Sequence, residues 1–173
     1  MSLLDIQDLA VQFNTDTGVV YAVDHINLKL EEGESLGLVG ETGAGKTTTA
    51  LAVLRLIQSP PGEYTSGKIF FHGENLMELS TEQMRKIRGS QISMIFQDPM
   101  TALNPVMTIG DQIAEGIRTN EKCSPAEARM KMLEILQMVR IPPERADDFP
   151  HQFSGGMKQR VVIAIALSCS PSL

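Results

Sequence analysis

The stretch that decides the fold is Leu36–Thr47, which reads LGLVGETGAGKT. Its start is nearly all apolar, which is typical of a short strand buried on both faces, and we predict a strand over 35–40. Its end, Gly40–Thr47, matches the pattern GxxxxGK followed by Ser or Thr. A helix is predicted over 45–58, until Ser59–Gly62, which reads SPPG, stops it. The order strand, glycine-rich loop and helix therefore predicts a phosphate-binding loop.

The residue types of this loop suit that chemistry. Glycines let the backbone curl so that successive N–H groups point at phosphate oxygens, and the helix N-terminus adds the positive end of its dipole. Lys46 supplies a compact charge for the β- and γ-phosphates, and Thr47 offers a hydroxyl to Mg²⁺. Glu41 is interpreted as an exposed loop position and not as an acid catalyst. The residues expected to bind nucleotide here are Gly40, Glu41, Thr42, Gly43, Ala44, Gly45, Lys46, Thr47 and Thr48.

A second segment narrows the class of nucleotide-binding protein. Phe153–Arg160 reads FSGGMKQR and precedes an apolar helix predicted over 155–167. Alone, its Ser-Gly-Gly is a helix N-cap and a flexible turn. With the loop Gly40–Thr47 and with Gln97 in the sequence FQDP, however, it resembles the nucleotide-binding subunit of an ABC transporter, in order and in spacing. The resemblance covers essentially the whole chain, and it identifies these segments as Walker A, the Q-loop and the ABC signature.

Three further segments resemble one branch of that family, the importers of oligopeptides, dipeptides and nickel. They are Ala22–Asp24, Phe96–Pro105 and Phe149–Met157. The resemblance implies an ATPase subunit that couples ATP binding and hydrolysis to the import of peptides, nickel or a similar small solute. It also implies a peripheral position on the cytoplasmic face of the inner membrane.

The resemblance implies an α/β fold: a P-loop NTPase (RecA-like) core with an N-terminal antiparallel β subdomain and an inserted helical subdomain. We expect the β subdomain and core over 1–105, the helical subdomain over 106–152, and the signature with its helix over 153–173. The hydrophobic periodicity further predicts strands over most of 3–40 and over 68–71 and 92–96, and helices over 108–118 and 124–140.

In this family two such subunits, identical or different, form a head-to-tail dimer with ATP and Mg²⁺ between them. Ser154, Gly155 and Gly156 of one chain are then expected to bind the γ-phosphate held by the loop of the other. Gln97 is expected to reach Mg²⁺ and the attacking water, so that Gln97 and Lys46 are the catalytic residues and Thr47 and Gln97 the metal ligands. The helical subdomain and the Q-loop are expected to contact integral-membrane permease subunits.

The family also places an aromatic ring on the adenine. Phe13 is the expected residue, because it lies at a strand end before the loop Asn14–Gly18. Tyr21, within the next strand, is interpreted as a packing residue.

The sequence departs from the family after Leu173, where the Walker B strand, with its Asp and Glu, would follow, and later the switch histidine. None of the three histidines present is placed to replace the latter. We therefore expect the chain alone to bind nucleotide weakly and to hydrolyse it poorly, because electrostatic positioning supplies most of phosphoryl-transfer catalysis. We also expect exposed side chains at Leu36, Leu38 and Val39.

Other classes fit less well. The net charge of −6 and the lack of a basic stripe argue against nucleic acid as a partner. The longest apolar run, Val161–Leu167, is far shorter than the roughly 20 residues of a membrane-spanning helix. The alternatives that stay open are an ABC ATPase not tied to transport and, for this chain alone, a non-catalytic nucleotide-binding module.

Overall fold

The computed structural model describes residues 2–173, apart from the side chains of Pro99 and Met100. Met1, the first residue of the predicted first domain, lies outside the described residues. The chain divides into two compact units, Met1–Arg85 and Lys86–Leu173. The predicted subdomain boundaries after residues 105 and 152 stay predictions.

The first unit is built on an antiparallel sheet with the strand order β2-β1-β3-β4. Its strands are β1 (Ser2–Thr15), β2 (Gly18–Glu31), β3 (Gly62–Phe71) and β4 (Glu74–Asn75). β1 has a neighbour on both sides, and the side chains of Leu9, Ala10 and Val11 in its middle are all buried. Ile69 and Phe71 of β3 complete this core.

The middle of β1 contains an irregularity that three backbone conformations produce. Asp8 and His25 have positive φ values of 53° and 46°, and Gly67 has a φ of 107°. A Cβ on Gly67 would lie 2.5 Å from the Cα of Leu9, so the close approach of β3 to β1 requires glycine. The Asp8 carboxylate closes the bulge: it lies 2.7 Å from Nδ1 of His25 and accepts a 2.5 Å hydrogen bond from Ser66.

Helix α1 (Lys46–Val53) begins directly after the glycine-rich loop but ends before residue 58, its predicted end. Arg55 has a left-handed φ of 50°, which terminates the helix. Its guanidinium donates to the carbonyls of Leu76 and Leu79, at 3.1 and 2.5 Å. These long-range hydrogen bonds stabilise a turn that the sequence pattern does not reveal.

The strands predicted over 35–40 and 92–96 are corrected by the structure. Residues 34–41 have no regular secondary structure, and among 92–96 only Ile92 makes a bridge, to Arg88. Both stretches are apolar enough for a buried strand, but among residues 2–173 neither has a neighbouring strand to complete a ladder. The expected exposure of the first stretch is confirmed, with Val39 97% exposed.

The second unit is helical. Its helices are α3 (Pro99–Ala102), α4 (Ile109–Asn120), α5 (Pro125–Met138) and α6 (Gly155–Leu167), while α2 (Thr81–Ile87) runs across the division between the units. Thr108 and Ser124 cap α4 and α5, and Ser124 forms a full capping box with Glu127. The helices predicted over 108–118, 124–140 and 155–167 are confirmed within two residues at each end.

The core of this unit lies between α4, α5 and α6. Its largest fully buried side chains are Ile109, Ile113, Ile117, Met132, Leu136 and Ile141. Within residues 2–173, no helix is both long enough and apolar enough to cross a membrane.

Candidate functional site

The glycine-rich loop of the first unit has the conformation that its sequence predicts. Gly43 and Gly45 both have positive φ, at 87° and 79°, and α1 begins at the next residue, Lys46. The loop residues from Gly40 to Ala44 are exposed, whereas Gly45 is buried. The loop therefore presents its backbone to solvent at the N-terminus of α1, where N–H groups have no helical partner and anions bind.

Gly45 is buried because it lies against β2. A Cβ at this position would lie 2.1 Å from the carbonyl oxygen of Ala22 and 3.6 Å from the side chain of Val23. The loop is thus supported by the backbone of a neighbouring strand. The sequence identified Ala22 only as part of a branch-specific pattern, and the structure adds the physical reason that this strand contacts the loop.

The Lys46 ammonium bonds to its own loop. Nζ donates to the carbonyls of Gly40 and Glu41, at 2.7 and 2.6 Å. An ammonium has three donors, so two hold the loop closed and a third is available to a phosphate oxygen. The lysine thereby places a full positive charge within the curve of the loop, as the predicted phosphate site requires.

Three threonines follow this lysine and have different environments. Thr47 is exposed and Thr48 is half-buried, whereas Thr49 is buried and donates to the carbonyl of Gly45 at 2.9 Å. Sequence reasoning missed Thr49. The signal was its position four residues after Gly45, since a helical Thr hydroxyl commonly bonds to the i−4 carbonyl.

Mg²⁺ prefers oxygen ligands and keeps several waters. The Thr47 hydroxyl and the Gln97 amide oxygen are each of that type, and as metal ligands both stay predictions. Among residues 2–173, no three His, Cys, Asp or Glu side chains cluster to form a metal site of their own.

The two aromatic candidates differ in environment. Phe13 is half-buried at the end of β1, pairs with Val20 in β2, and its ring lies 3.1 Å from the ideal Cβ position of Gly62. Tyr21 is 72% exposed, so its interpretation as a packing residue is wrong. The reason is that β2 is an outer strand of the sheet and that, among the described residues, nothing buries its first four positions, Gly18–Tyr21, which are all exposed. Phe13 as the adenine contact stays a prediction.

The remaining predicted residues belong to the second unit. Gln97 is exposed at a bend between Ile92 and α3. Ser154 caps α6, and its Oγ accepts a 3.4 Å hydrogen bond from the backbone N–H of Met157. Gly155 and Gly156 are exposed in the first turn of α6, and a Cβ on either would meet nothing within 4 Å. Open space at both glycines leaves the backbone accessible to a large ligand.

Arg145 is a second residue that sequence reasoning missed. Its guanidinium carbon lies 4.5 Å from the centre of the Phe153 ring, and its Nη2 donates to the carbonyl of Gln152 at 3.0 Å. Both partners directly precede Ser154. The sequence signal was weak, because an arginine nine residues before a signature serine has no local pattern of its own.

Comparison with known proteins identifies the family of this chain. Residues 23–173 match the sequence model of a family described as ABC transporter. A probable peptide ABC transporter ATP-binding protein of Sinorhizobium fredii is 49% identical over 99% of this chain and 52% of its own length. The oligopeptide transport ATP-binding protein OppD of Bacillus subtilis is also 49% identical, over 99% of this chain and 48% of its own.

The chain spans about half the length of these curated relatives. A solved structure agrees with them: the ATP-binding cassette MJ0796, a dimer in a post-hydrolysis state bound to ADP and Pi, superposes with a TM-score of 0.85. It is 27% identical and covers 97% of this chain and 70% of that one. This likeness confirms the predicted α/β fold of a P-loop ATPase. With a glycine-rich loop seated on β2 and a capped Ser-Gly-Gly helix, the chain belongs to the ABC transporter family, as an ATP-binding domain.

Proposed function

We propose that this chain forms the ATP-binding part of an ABC importer subunit that hydrolyses ATP to drive the import of peptides. The observation that carries the proposal is the loop from Gly40 to Lys46, with its exposed backbone, its buried Gly45 and its internally bonded ammonium. The peptide substrate is supported by the relatives from Sinorhizobium fredii and Bacillus subtilis, which are named as peptide and oligopeptide transport proteins. Nickel as the solute stays a prediction from sequence.

In the proposed reaction the residues of this chain position the phosphates. The loop N–H groups and Lys46 bind the β- and γ-phosphates, and Phe13 stacks on the adenine. Thr47 and Gln97 would hold Mg²⁺, which would neutralise charge on the phosphate oxygens. Gln97 also orients the attacking water. Because the loop N–H groups, Lys46 and Gln97 are in place before the reaction begins, they stabilise the charge that develops in the transition state.

The proposed assembly is a head-to-tail dimer. The turn from Ser154 to Gly156 of one protomer then faces the γ-phosphate held by its partner, because an exposed helix N-terminus attracts anions. The MJ0796 cassette, which was solved as a dimer with ADP and Pi, supports this arrangement. We further propose that the subunit lies on the cytoplasmic face of the inner membrane. There its helical subdomain and the segment at Gln97 contact permease subunits.

The test is a calorimetric titration of the chain with Mg·ATP, alongside Lys46→Ala. Weak but saturable binding is expected, which the substitution weakens by about 10- to 100-fold, because a hydrogen bond to a charged group contributes about 1.5–3 kcal/mol. Lys29→Ala is the matched control, since Lys29 is exposed and pairs with the exposed Glu31 carboxylate at 3.1 Å. Equal affinity of the Lys46→Ala and Lys29→Ala proteins would contradict the proposal.

A further inference from the structure

The guanidinium of Arg145 contacts the chain that leads into the Ser-Gly-Gly turn at three points. Its Nε pairs with the Asp148 carboxylate, and its Nη2 donates to the carbonyl of Gln152 at 3.0 Å. Its carbon atom lies 4.5 Å from the centre of the Phe153 ring, within the range of a cation–π contact. Gln152 and Phe153 are the two residues immediately before Ser154, so one side chain holds both.

The segment that Arg145 contacts is ordered by further hydrogen bonds. The backbone N–H of Phe149 donates to Oε1 of Gln152 at 2.7 Å, and the N–H of Phe153 donates to the carbonyl of Pro150 at 3.2 Å. Phe153 itself is buried in the helical core, with 5% of its surface exposed. Ser154 follows in an extended conformation, with φ −68° and ψ 162°. The direction of the turn is thus set by the two residues before it.

Only arginine can make the three contacts together. Its guanidinium is planar, with donors in a fixed fork and a flat face that stacks on an aromatic ring, whereas a lysine ammonium is a single compact charge. The side chains of Arg145 and Asp148 are 32% and 28% exposed. In the same unit, Arg129 and Asp147 form a pair at 3.8 Å with side chains 60% and 77% exposed. Such an exposed pair contributes little and offers a matched comparison.

We propose that Arg145 is a positioning residue of the ATPase reaction, which fixes the turn from Ser154 to Gly156 in the orientation that binds the γ-phosphate. Arg145 acts through Gln152 and Phe153 and does not touch the nucleotide. This inference rests on the proposed function, and it predicts a selective effect. ADP lacks a γ-phosphate, so its binding to the loop at Lys46 does not depend on this turn.

The test uses the complete gene product, purified with the subunits it assembles with, as wild type, Arg145→Lys and Arg145→Met. Arg129→Lys and Arg129→Met are the controls, and Lys46→Ala tests the proposed function. The measurements are kcat/KM for Mg·ATP, Kd for Mg·ADP and the thermal midpoint. We expect Arg145→Lys to lower kcat/KM about tenfold, the loss of one hydrogen bond to a charged group, and Arg145→Met to lower it further. Kd for Mg·ADP should stay within about twofold of the Arg129 variants.

Two results would overturn the inference. If kcat/KM in both Arg145 variants equals that of the Arg129 variants, the guanidinium does not position the turn. If Kd for Mg·ADP rises in parallel with the loss of kcat/KM, Arg145 has a general structural role only. Failure of the proposed function is distinct from both results, because it would appear as ATP turnover and ADP binding that survive Lys46→Ala.

Discussion

Replacing Gly45 by alanine tests whether the contact with β2 determines the shape of the phosphate loop. The substitution has two effects that the structure separates. At a φ of 79°, an alanine is disfavoured by roughly 1–2 kcal/mol. Its Cβ would also lie 2.1 Å from the Ala22 carbonyl oxygen, where contacts below 3.0 Å essentially never occur, so loop or strand must move by at least 0.9 Å, the difference between the two distances.

Gly43→Ala is the matched control. Gly43 has a similar φ of 87°, but a Cβ there would meet nothing within 4 Å. Gly43→Ala therefore has the unfavourable backbone conformation of Gly45→Ala without its steric clash. Crowding of this kind adds about 1–3 kcal/mol to the destabilisation. We expect Gly45→Ala to lower the free energy of unfolding by about 2–5 kcal/mol and Gly43→Ala by about 1–2 kcal/mol.

The displacement also affects nucleotide binding. A shift of nearly 1 Å misaligns backbone donors and Lys46 with the phosphates, and the loss of one such hydrogen bond corresponds to about 10- to 100-fold in Kd. Calorimetric titration with Mg·ATP, at a temperature where circular dichroism shows both variants folded, measures the effect. If the Kd of Gly45→Ala for Mg·ATP lies within about twofold of that of Gly43→Ala, the contact of the loop with Ala22 does not control nucleotide binding, and the reasoning is refuted.

Two predictions concern the bulge in β1. Gly67→Ala should lower the free energy of unfolding by about 2–4 kcal/mol, because a Cβ would lie 2.5 Å from the Cα of Leu9. Gly73→Ala, with open space at a φ of 82°, should lower it by about 1–2 kcal/mol. Equal denaturation midpoints of the two variants would contradict this. His25→Asn should remove a pH-dependent part of stability. The hydrogen bond and charge of Asp8 raise the pKa of His25 above its ordinary 6.5, so that stabilisation is full below 6.5 and lost as pH rises through the raised value. Hydrogen bonds from Ser66 and then His25 lower the pKa of Asp8 below 3.8, so its share is lost as pH falls through that lowered value. The difference in thermal midpoint between wild type and His25→Asn should therefore be largest between about pH 4 and 6.5, and a difference that does not vary with pH would refute it.

Local signals in the sequence predicted the loop and the helices, because each carries its own determinants. The glycine pattern before Lys46 requires a curled backbone, and Ser124 and Ser154 are caps whose partners lie three residues on. The two strands predicted over 35–40 and 92–96 were wrong for the opposite reason. An apolar run reports a tendency to be buried, but a strand exists only where a neighbour pairs with it, and the run does not contain that information.

The candidate site was predictable in part for the same reason. Loop residues were identified from their spacing, whereas Ala22, Thr49 and Arg145 act through partners distant in sequence or through a single helical turn. Tyr21 shows the limit of strand periodicity, since alternation assigns a face to a side chain but not a layer that covers it.

Strand β2 contacts both the phosphate loop, through Ala22 and Gly45, and Phe13, through Val20. Val20, the ladder partner of Phe13, stands two residues before Ala22 on the same strand. Each residue of a strand advances about 3.4 Å, so the ring and the loop are referenced to points about 7 Å apart on one rigid element. A one-residue slip of β2 against β1 would place a different residue opposite Phe13 and turn Val20 to the opposite face. With Phe13 on the adenine, as proposed, the strand register would therefore set the distance between the base site and the phosphate site before a nucleotide binds.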